Sequence, residues 1–513
     1  MHSLRAALPG PDVLDAVETA LVRHRAFGDS VYIRDQLAVA YRRRLHKVGA
    51  SMPAARQLAR RLDGATPARQ RQLTGDTVLR CAVQHAMRQL HLGDDYGLPL
   101  PQCAALFQAA SAHLDAGLPG GPLTAHLPPM ARLHQERKRR AMGDKDADAG
   151  SEADTYIWHA WQDGTPYASA FLAVMEVNYG APLATPTPHE RALLRRGLCL
   201  LETLLPRLTA SALSHVQLIA LFPKLGVWRG KASSSQFRVN GSLFLNQELI
   251  GNPWWLAEHL LHEALHQKLY DFRHGHSLLA PGYARADGAR VCSLWNAPDD
   301  DGNQYWDAHR TLAAFHVYVH LALLCLLAER HETALAPLYG PIGQHMSGSR
   351  RAIDRARYLG EQLHSTSRPE LGLAGRHMTD WLLAVLDALD TQPRPAGATV
   401  HLLLDLYERQ SRKLDTYLAR QPPPRGDLPV LPAQQELAQA RAALHLLDRD
   451  MPPCTLDAAQ GWPRARQQVL QALMPLAYDV TMMERAGYPQ AQALIMQMVQ
   501  QSSRQLAALG ALG

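Results

Sequence analysis

The chain has 513 residues, room for two to four domains at roughly 150 residues each. Hydrophobic residues make up 47% and charged residues 19%, a balance that supplies a core and excludes a solvated, disordered polymer. Lysine and arginine (53) exceed aspartate and glutamate (47) by only six, too small a surplus to imply nucleic-acid binding.

Six cysteines, at 81, 103, 199, 292, 325 and 454, stand too far apart for a CxxC pair and too thinly for a disulfide framework. The first residues hold no apolar run of signal-peptide length, and the most apolar stretch, Phe315 to Ala328, is too short to span a bilayer. The expectation is a cytoplasmic protein with neither a membrane nor a nucleic acid as partner. Histidine, at 25, is unusually abundant.

Apolar residues recur at helical spacing through most of the chain, with Gly/Pro clusters between the runs. Two helical segments are predicted in 11–48 and two in 53–92. A polar stretch opens at Gly117 and reaches 152; it carries the basic run Arg137-Lys138-Arg139-Arg140 and, after it, acidic residues from Asp144 to Asp148. That pairing suits a solvated linker. Helical pattern resumes over 154–178 and 188–207.

The character changes at 213–250. Val216–Phe222 is a short apolar run ending at Pro223, as in a buried strand. Asn240-Gly241 between two apolar runs predicts a β-hairpin. Asn252-Pro253 then caps a helix running to about Phe272. A loop over 274–305 leads to a helix over about 307–335. Further helices are predicted over about 349–364, 376–391, 399–420, 434–448, 463–484 and 488–508, with a break at Pro422-Pro423-Pro424. The fold class is therefore mainly α, with a small β-element beside one central helix in a zincin-like core. The regions expected are 1–116 helical, 117–152 linker, 153–335 core and 336–513 helical.

His262-Glu263-Ala264-Leu265-His266 reads HExxH inside that central helix. Chance alone produces the pattern in roughly 4% of chains of this composition, so its context matters. On a helix, residues four apart share a face, so both imidazoles can reach one metal ion at about 2.0–2.1 Å. Glu263 is offset by about 100° and can poise a metal-bound water.

The metzincin extension is excluded, because Leu269 and Phe272 stand where it needs glycine and histidine. His309, His316 and His320 form one stripe on the next long helix. His316, central and flanked by Phe315 and Val317, is the preferred third ligand. His320 is second, Glu329 and Glu332 are the gluzincin-type alternative, and His274 and His276 are weaker candidates. Trp254-Trp255 and Trp295 read as core. Gly-rich phosphate loops and the Gly-x-Ser-x-Gly elbow are missing.

Leu256 to Leu269, AEHLLHEALHQKL after its first residue, resembles the core motif of the HExxH-motif peptide-modification proteins found beside genes for ribosomally made peptides. Ser293-Leu294-Trp295 looks like that family's S-x-W, and Phe315-His316-Val317-Tyr318-Val319 like its L-H-[AG]-[FY]-V helix. The resemblance covers about 213–330. It implies an iron(II)- and 2-oxoglutarate-dependent β-hydroxylase acting on a precursor peptide. His262, His266 and His316 would hold the metal and Glu263 would act beside it. The family's Arg-Pro pair before the second helix is replaced by Tyr305–Arg310, which leaves Arg310 as the candidate anchor for the co-substrate and Lys268 as a weaker one.

Imidazoles alone suit zinc, iron, copper and nickel alike. A zinc metallopeptidase with Glu263 as general base, and a non-catalytic helical peptide-binding protein, are therefore the competing readings.

Overall fold

The computed structural model describes residues 8–94, 97–118, 120–125, 127–130, 155–160, 165–298, 303–420, 430–451 and 461–511. The fold is mainly helical, with 18 helices among the described residues and few, short strands. The basic and acidic runs of 137–148, the triple proline and Cys454 lie outside the described residues. The other five cysteines form no disulfide.

Two compact units divide the chain. The first comprises the described residues of Met1–Leu278, His316–Ile353 and Ala384–Thr391, and the second those of Leu279–Phe315, Asp354–Leu383 and Gln392–Gly513.

The first unit opens with α1 (Pro11–Arg23), α2 (Ser30–Ser51), α3 (Pro53–Asp63), α4 (Pro67–Thr74), α5 (Thr77–Leu92) and α6 (Leu100–Asp115). Three helices thus occupy 53–92, because Thr66-Pro67 and Asp76-Thr77 each restart the chain with a side-chain cap. Part of the predicted linker is packed here: Leu123 is buried and donates its N–H to Asp76, and Met130 donates to the Thr155 carbonyl.

Then come β1 (Tyr156–Ile157), α7 (Pro166–Tyr179), α8 (Pro188–Leu204) and α9 (Pro206–Leu213). A four-stranded sheet follows from β1 with β2 (Leu218–Phe222), β3 (Ser233–Ser234) and β4 (Ser242–Asn246), in the order β1-β2-β4-β3. β1, β2 and β4 run parallel, with Leu218 opposite Ser242 and Phe222 opposite Asn246. β3 lies antiparallel on the outer side of β4, with Ser234 opposite Phe244. Every residue of β2 and β4 is buried, which explains the unbroken apolar run of β2 and the Leu243-Phe244-Leu245 centre of β4.

The predicted hairpin at Asn240-Gly241 does not form. Residues Phe237–Val239 make a single 3-10 turn, and β4 pairs instead with β2 and β3. The reason is local. Asn240 has φ −62°, outside the left-handed region that a two-residue hairpin turn needs, while Gly241 alone takes φ +85°. Both residues are spent on another contact: the Gly241 N–H donates to Gln267 Oε1 at 2.7 Å, and the Asn240 amide meets His274 Nε2 at 2.8 Å.

The HExxH helix is α10 (Pro253–Gly275), longer than predicted by one turn. Asn252 caps it as expected, accepting the N–H groups of Trp254 and Trp255. It packs against α2, α8 and α9 and touches β3 and β4. Closest is α8: an added Cβ at Gly197 would sit 2.5 Å from the Leu256 side chain.

A long helix, α11 (Ala308–Tyr339), contributes the part from His316 onward to this unit. It is the one described helix long and apolar enough to cross a membrane, which the shorter apolar run of the sequence had not suggested; 83% of its most apolar window is buried within the fold. The short β5 (Val291–Cys292) and β6 (Tyr305–Trp306) pair antiparallel in the second unit.

The chain continues through α12 (Ser349–His364) and α13 (Leu373–Leu389) to α14 (Val400–Arg420), α15 (Val430–His445), α16 (Gly461–Tyr478), α17 (Val480–Met483) and α18 (Tyr488–Ala508). α14, α15, α16 and α18 pack on one another in the second unit. A buried ion pair stitches them: Arg466 meets Glu436 at 3.0 Å, and Glu436 also accepts from Tyr407 and Trp462.

Gly197→Val should force α8 off α10 and cost about 1–3 kcal/mol. Urea unfolding followed by far-UV circular dichroism measures it; an unchanged midpoint would show that the close approach of the two helices is not needed.

Candidate metal site on the HExxH helix

α10 brings His262 and His266 together, with their Nε2 atoms 3.2 Å apart. Two donors bound to one cation at about 2.0–2.1 Å would subtend about 100° at that spacing, between octahedral and tetrahedral angles. The pair is therefore spaced as two ligands of one ion. Flanking rings continue the stripe: His259 lies on the His262 side at 6.3 Å, and Tyr270 stacks near-parallel on His266 at 6.2 Å.

Glu263 is buried and turned toward the sheet edge, where Ser233 Oγ of β3 donates to its Oε1 at 2.5 Å. Burial alone would raise its pKa. The His262 and His266 imidazoles and the Ser233 and Ser235 hydroxyls outweigh that and hold it below the ordinary carboxyl value. The carboxylate is thus kept ionised beside the His pair, the state required of a general base.

His316 is 2% exposed, and its buried Nδ1 has no hydrogen-bond partner in the structure. Burial, then His320, Lys268, His266 and His215 in that order, drives its pKa well below 6.5. The imidazole is therefore neutral, as a ligand must be. Among the described residues, no three His, Cys, Asp or Glu side chains are gathered closely enough to hold an ion. The structure brings His262 and His266 together, and does not bring His316 to them as a completed triad. His320 donates from Nδ1 to the His316 carbonyl at 2.7 Å, which leaves its Nε2 as an acceptor.

The other predicted residues have definite places. Glu329 accepts from the backbone and hydroxyl of Ser349, and Glu332 from the Ile342 N–H, so both carboxylates fasten the chain after α11. The gluzincin-type ligand set has no carboxylate to use there. Lys268 is fully buried, with Nζ donating to the Gly28 carbonyl at 2.6 Å and to Ser211 Oγ at 2.8 Å; burial pulls its pKa down to about 7. That rules it out as a co-substrate anchor.

Arg310 is exposed at the start of α11 in the second unit, with its guanidinium over the Trp306 ring at 4.9 Å. His309 is half-buried on the same turn. His274 lies in the last turn of α10 rather than in the loop expected, whereas His276 follows the helix end in extended backbone. His274 stacks on Phe237, and His276 stacks on Phe272 while meeting Tyr32 OH at 3.1 Å. Trp254 and Trp295 are buried core residues, as expected.

Sequence reasoning missed Ser233, the partner of Glu263, because a two-residue strand leaves no periodic signal. It also missed a buried relay. Asp271 Oδ1 accepts from Arg80 at 2.9 Å and its Oδ2 meets His215 Nδ1 at 2.7 Å, with all three side chains shielded from solvent. Its trace was present in the sequence: Glu263, Gln267 and Asp271 form a polar i, i+4, i+8 stripe on an otherwise apolar helix face.

Compared with models of known protein families, the chain matches none, and it matches no curated protein.

Burial holds several histidines of the first unit neutral. His85 and His215 are pulled down to about 4, and His274 and His320 to about 3, burial being the largest cause for each. The unfolded chain protonates them near 6.5. Below that pH the unfolded state binds more protons, so stability is fully present above about 6.5 and is lost as pH falls toward 4. Each group should contribute a slope of up to about 1.4 kcal/mol per pH unit in that window. Urea unfolding between pH 7.5 and 4.5 should show it, and His85→Gln should flatten the slope by about one group; identical slopes would contradict the assignment.

Proposed function

We propose that the chain is a metal-dependent oxygenase that hydroxylates a side-chain β-carbon in a ribosomally made precursor peptide, with iron(II) as the metal and 2-oxoglutarate as co-substrate. The observation that carries the metal is the 3.2 Å spacing of His262 and His266 Nε2 on α10, with ionised Glu263 one residue away. His316 is the third ligand in this reading, supported by its buried, unpartnered Nδ1 and by the influence of His266 on its titration.

The choice of iron and 2-oxoglutarate rests on the resemblance of 256–269, 293–295 and 315–319 to the HExxH-motif peptide-modification proteins. Iron(II) with a 2-oxo acid would supply dioxygen activation, one oxygen atom going to the peptide and the other to the oxo acid as it loses carbon dioxide. The residues of this chain then have separate tasks. The imidazoles hold the ion, Glu263 holds or relays a proton at its carboxylate, and Ser233 keeps that carboxylate aimed. The five described cysteines, none in a disulfide, suit a reducing, cytoplasmic setting.

A second reading is favoured by one contact. Glu263, ionised and fixed by Ser233 beside an edge strand, is also what a zinc metallopeptidase needs of a general base. Its third ligand would be His316, since Glu329 is bound to Ser349. A third reading, a peptide-binding protein without catalysis, follows from the incomplete triad among the described residues.

Elemental analysis of the purified protein separates the third reading from the others: about one metal per chain is expected, and His266→Ala should lose it. Anaerobic iron(II) with 2-oxoglutarate should give a visible charge-transfer band, and peptide mass should rise by one oxygen. Cleavage of peptide with zinc, abolished by Glu263→Gln while metal is retained, and with no oxygen gain under iron, would overturn the oxygenase in favour of the peptidase.

A further inference from the structure

Glu258, one turn before His262 on α10, is 7% exposed and has no task in the proposed chemistry. Both of its carboxylate oxygens are taken up by one residue. Ser347 donates its N–H to Oε2 at 2.7 Å and its hydroxyl to Oε1 at 2.9 Å. Two residues on, Ser349 does the same for Glu329 of α11, its N–H at 2.8 Å and its hydroxyl at 2.6 Å. The chain thus passes from the carboxylate of one helix to that of the other across Gly348 alone, and the two serine Cα atoms are at most about 7 Å apart. Both carboxylates also act on Cys325 of α11: after burial, they are the causes that raise its pKa. A second tie lies one turn earlier on α10. Trp254 Nε1 donates to the Gly340 carbonyl at 2.9 Å, and its ring meets Tyr339, the last residue of α11, edge-on at 6.4 Å.

Apolar packing alone lets one helix slide along another, because its contacts are not directional. The bonds of this bracket are directional, and a buried carboxylate stripped of its donors is costly, so they admit one register. The bracket sits four residues before His262 on α10. Through Glu329 it sits thirteen residues after His316 on α11, about 20 Å along an unbroken helix. Its setting is therefore carried to His316. Metal–ligand distances must fall within about 0.2 Å of their ordinary values. A slip of α11 by a fraction of a turn would take His316 out of reach of an ion held by His262 and His266.

We propose that Glu258 is a positioning residue of the metal site: gripped by Ser347 beside the Glu329–Ser349 pair, it fixes the register of α11 on α10 and with it the place of His316 relative to His262 and His266. This rests on the reading of His316 as a ligand, and does not depend on which metal is bound or on what the protein does with it.

The test is a double-mutant cycle on metal affinity, with zinc(II) titrated into the metal-free full chain against a chromophoric chelator. Glu258→Ala should weaken zinc binding about tenfold, the lower end of what losing a ligand's support costs. Glu258→Gln, which keeps an acceptor for the Ser347 hydroxyl, should lose less. His316→Ala should weaken binding at least as far as Glu258→Ala, and the double variant should bind no more weakly than His316→Ala alone, because Glu258 acts through that imidazole. A purely structural role would instead give additive losses, and that result would overturn the proposal. So would wild-type affinity in a folded Glu258→Ala, with folding read by circular dichroism. Should Glu258→Ala fail to fold, Ser347→Ala takes its place in the cycle, with the same two outcomes. Unaltered affinity in His316→Ala, or no zinc uptake by the wild type, would remove the ligand reading and this proposal with it. Loss in His316→Ala without loss at Glu258 or Ser347 would remove the positioning role alone.

Discussion

The rotational setting of α10 is the constraint on which the site depends. An amphipathic helix in a mostly apolar core can turn about its axis at small cost, since apolar contacts are not directional. α10 is prevented from turning by hydrogen bonds along one stripe. Gln267 grips β4 through both ends of its amide, accepting from Gly241 and donating to the Ser242 carbonyl at 2.8 Å. One turn later Asp271 is clamped between Arg80 and His215. Buried polar groups must be satisfied or they cost several times what they contribute, so these bonds admit one orientation. Glu263, one turn before Gln267 on the same stripe, is carried to the sheet edge and Ser233. His262 is left about 100° away, on the half-buried face that it shares with His266 and Tyr270.

The same logic explains the histidine content. Several of the 25 histidines are structural: His85 accepts from the Leu98 N–H, His215 serves Asp271, and His274 sits between Asn240 and the Phe237 ring. A neutral imidazole can donate and accept at once, which suits it to buried junctions between helices. A stripe of histidines is thus weak support for a metal site by itself. Close convergence of ring nitrogens is the stronger sign, and in this chain the His262/His266 pair has it.

Much of the helical framework was legible from periodicity and capping. Asn252-Pro253, the HExxH helix, the long apolar helix over Ala308–Tyr339 and the helix at Tyr488–Ala508 all lie close to where the spacing of apolar residues puts them. Those signals are local, and local signals survive into the fold. The error at Asn240-Gly241 has the opposite cause. A turn propensity of a few tenths of a kcal/mol to about one is overridden when the following strand can bury all five residues against β2. Glu329, Glu332 and Lys268 were misleading for a related reason: a polar residue on an apolar helix announces a partner but not its identity, and here the partners are Ser349, Ile342, Gly28 and Ser211.

By itself the sequence determined that the protein is mainly helical, that a capped helix carries HExxH, and that its two histidines share one face. Each follows from the 3.6-residue period, which needs no knowledge of distant contacts. Tertiary structure alone decided where that face points, that Glu263 is paired with a serine thirty residues upstream, and that Glu329 and Glu332 of α11 are tied to the chain that follows it. These depend on directional bonds between residues remote in the chain, and no pattern along a single segment encodes them.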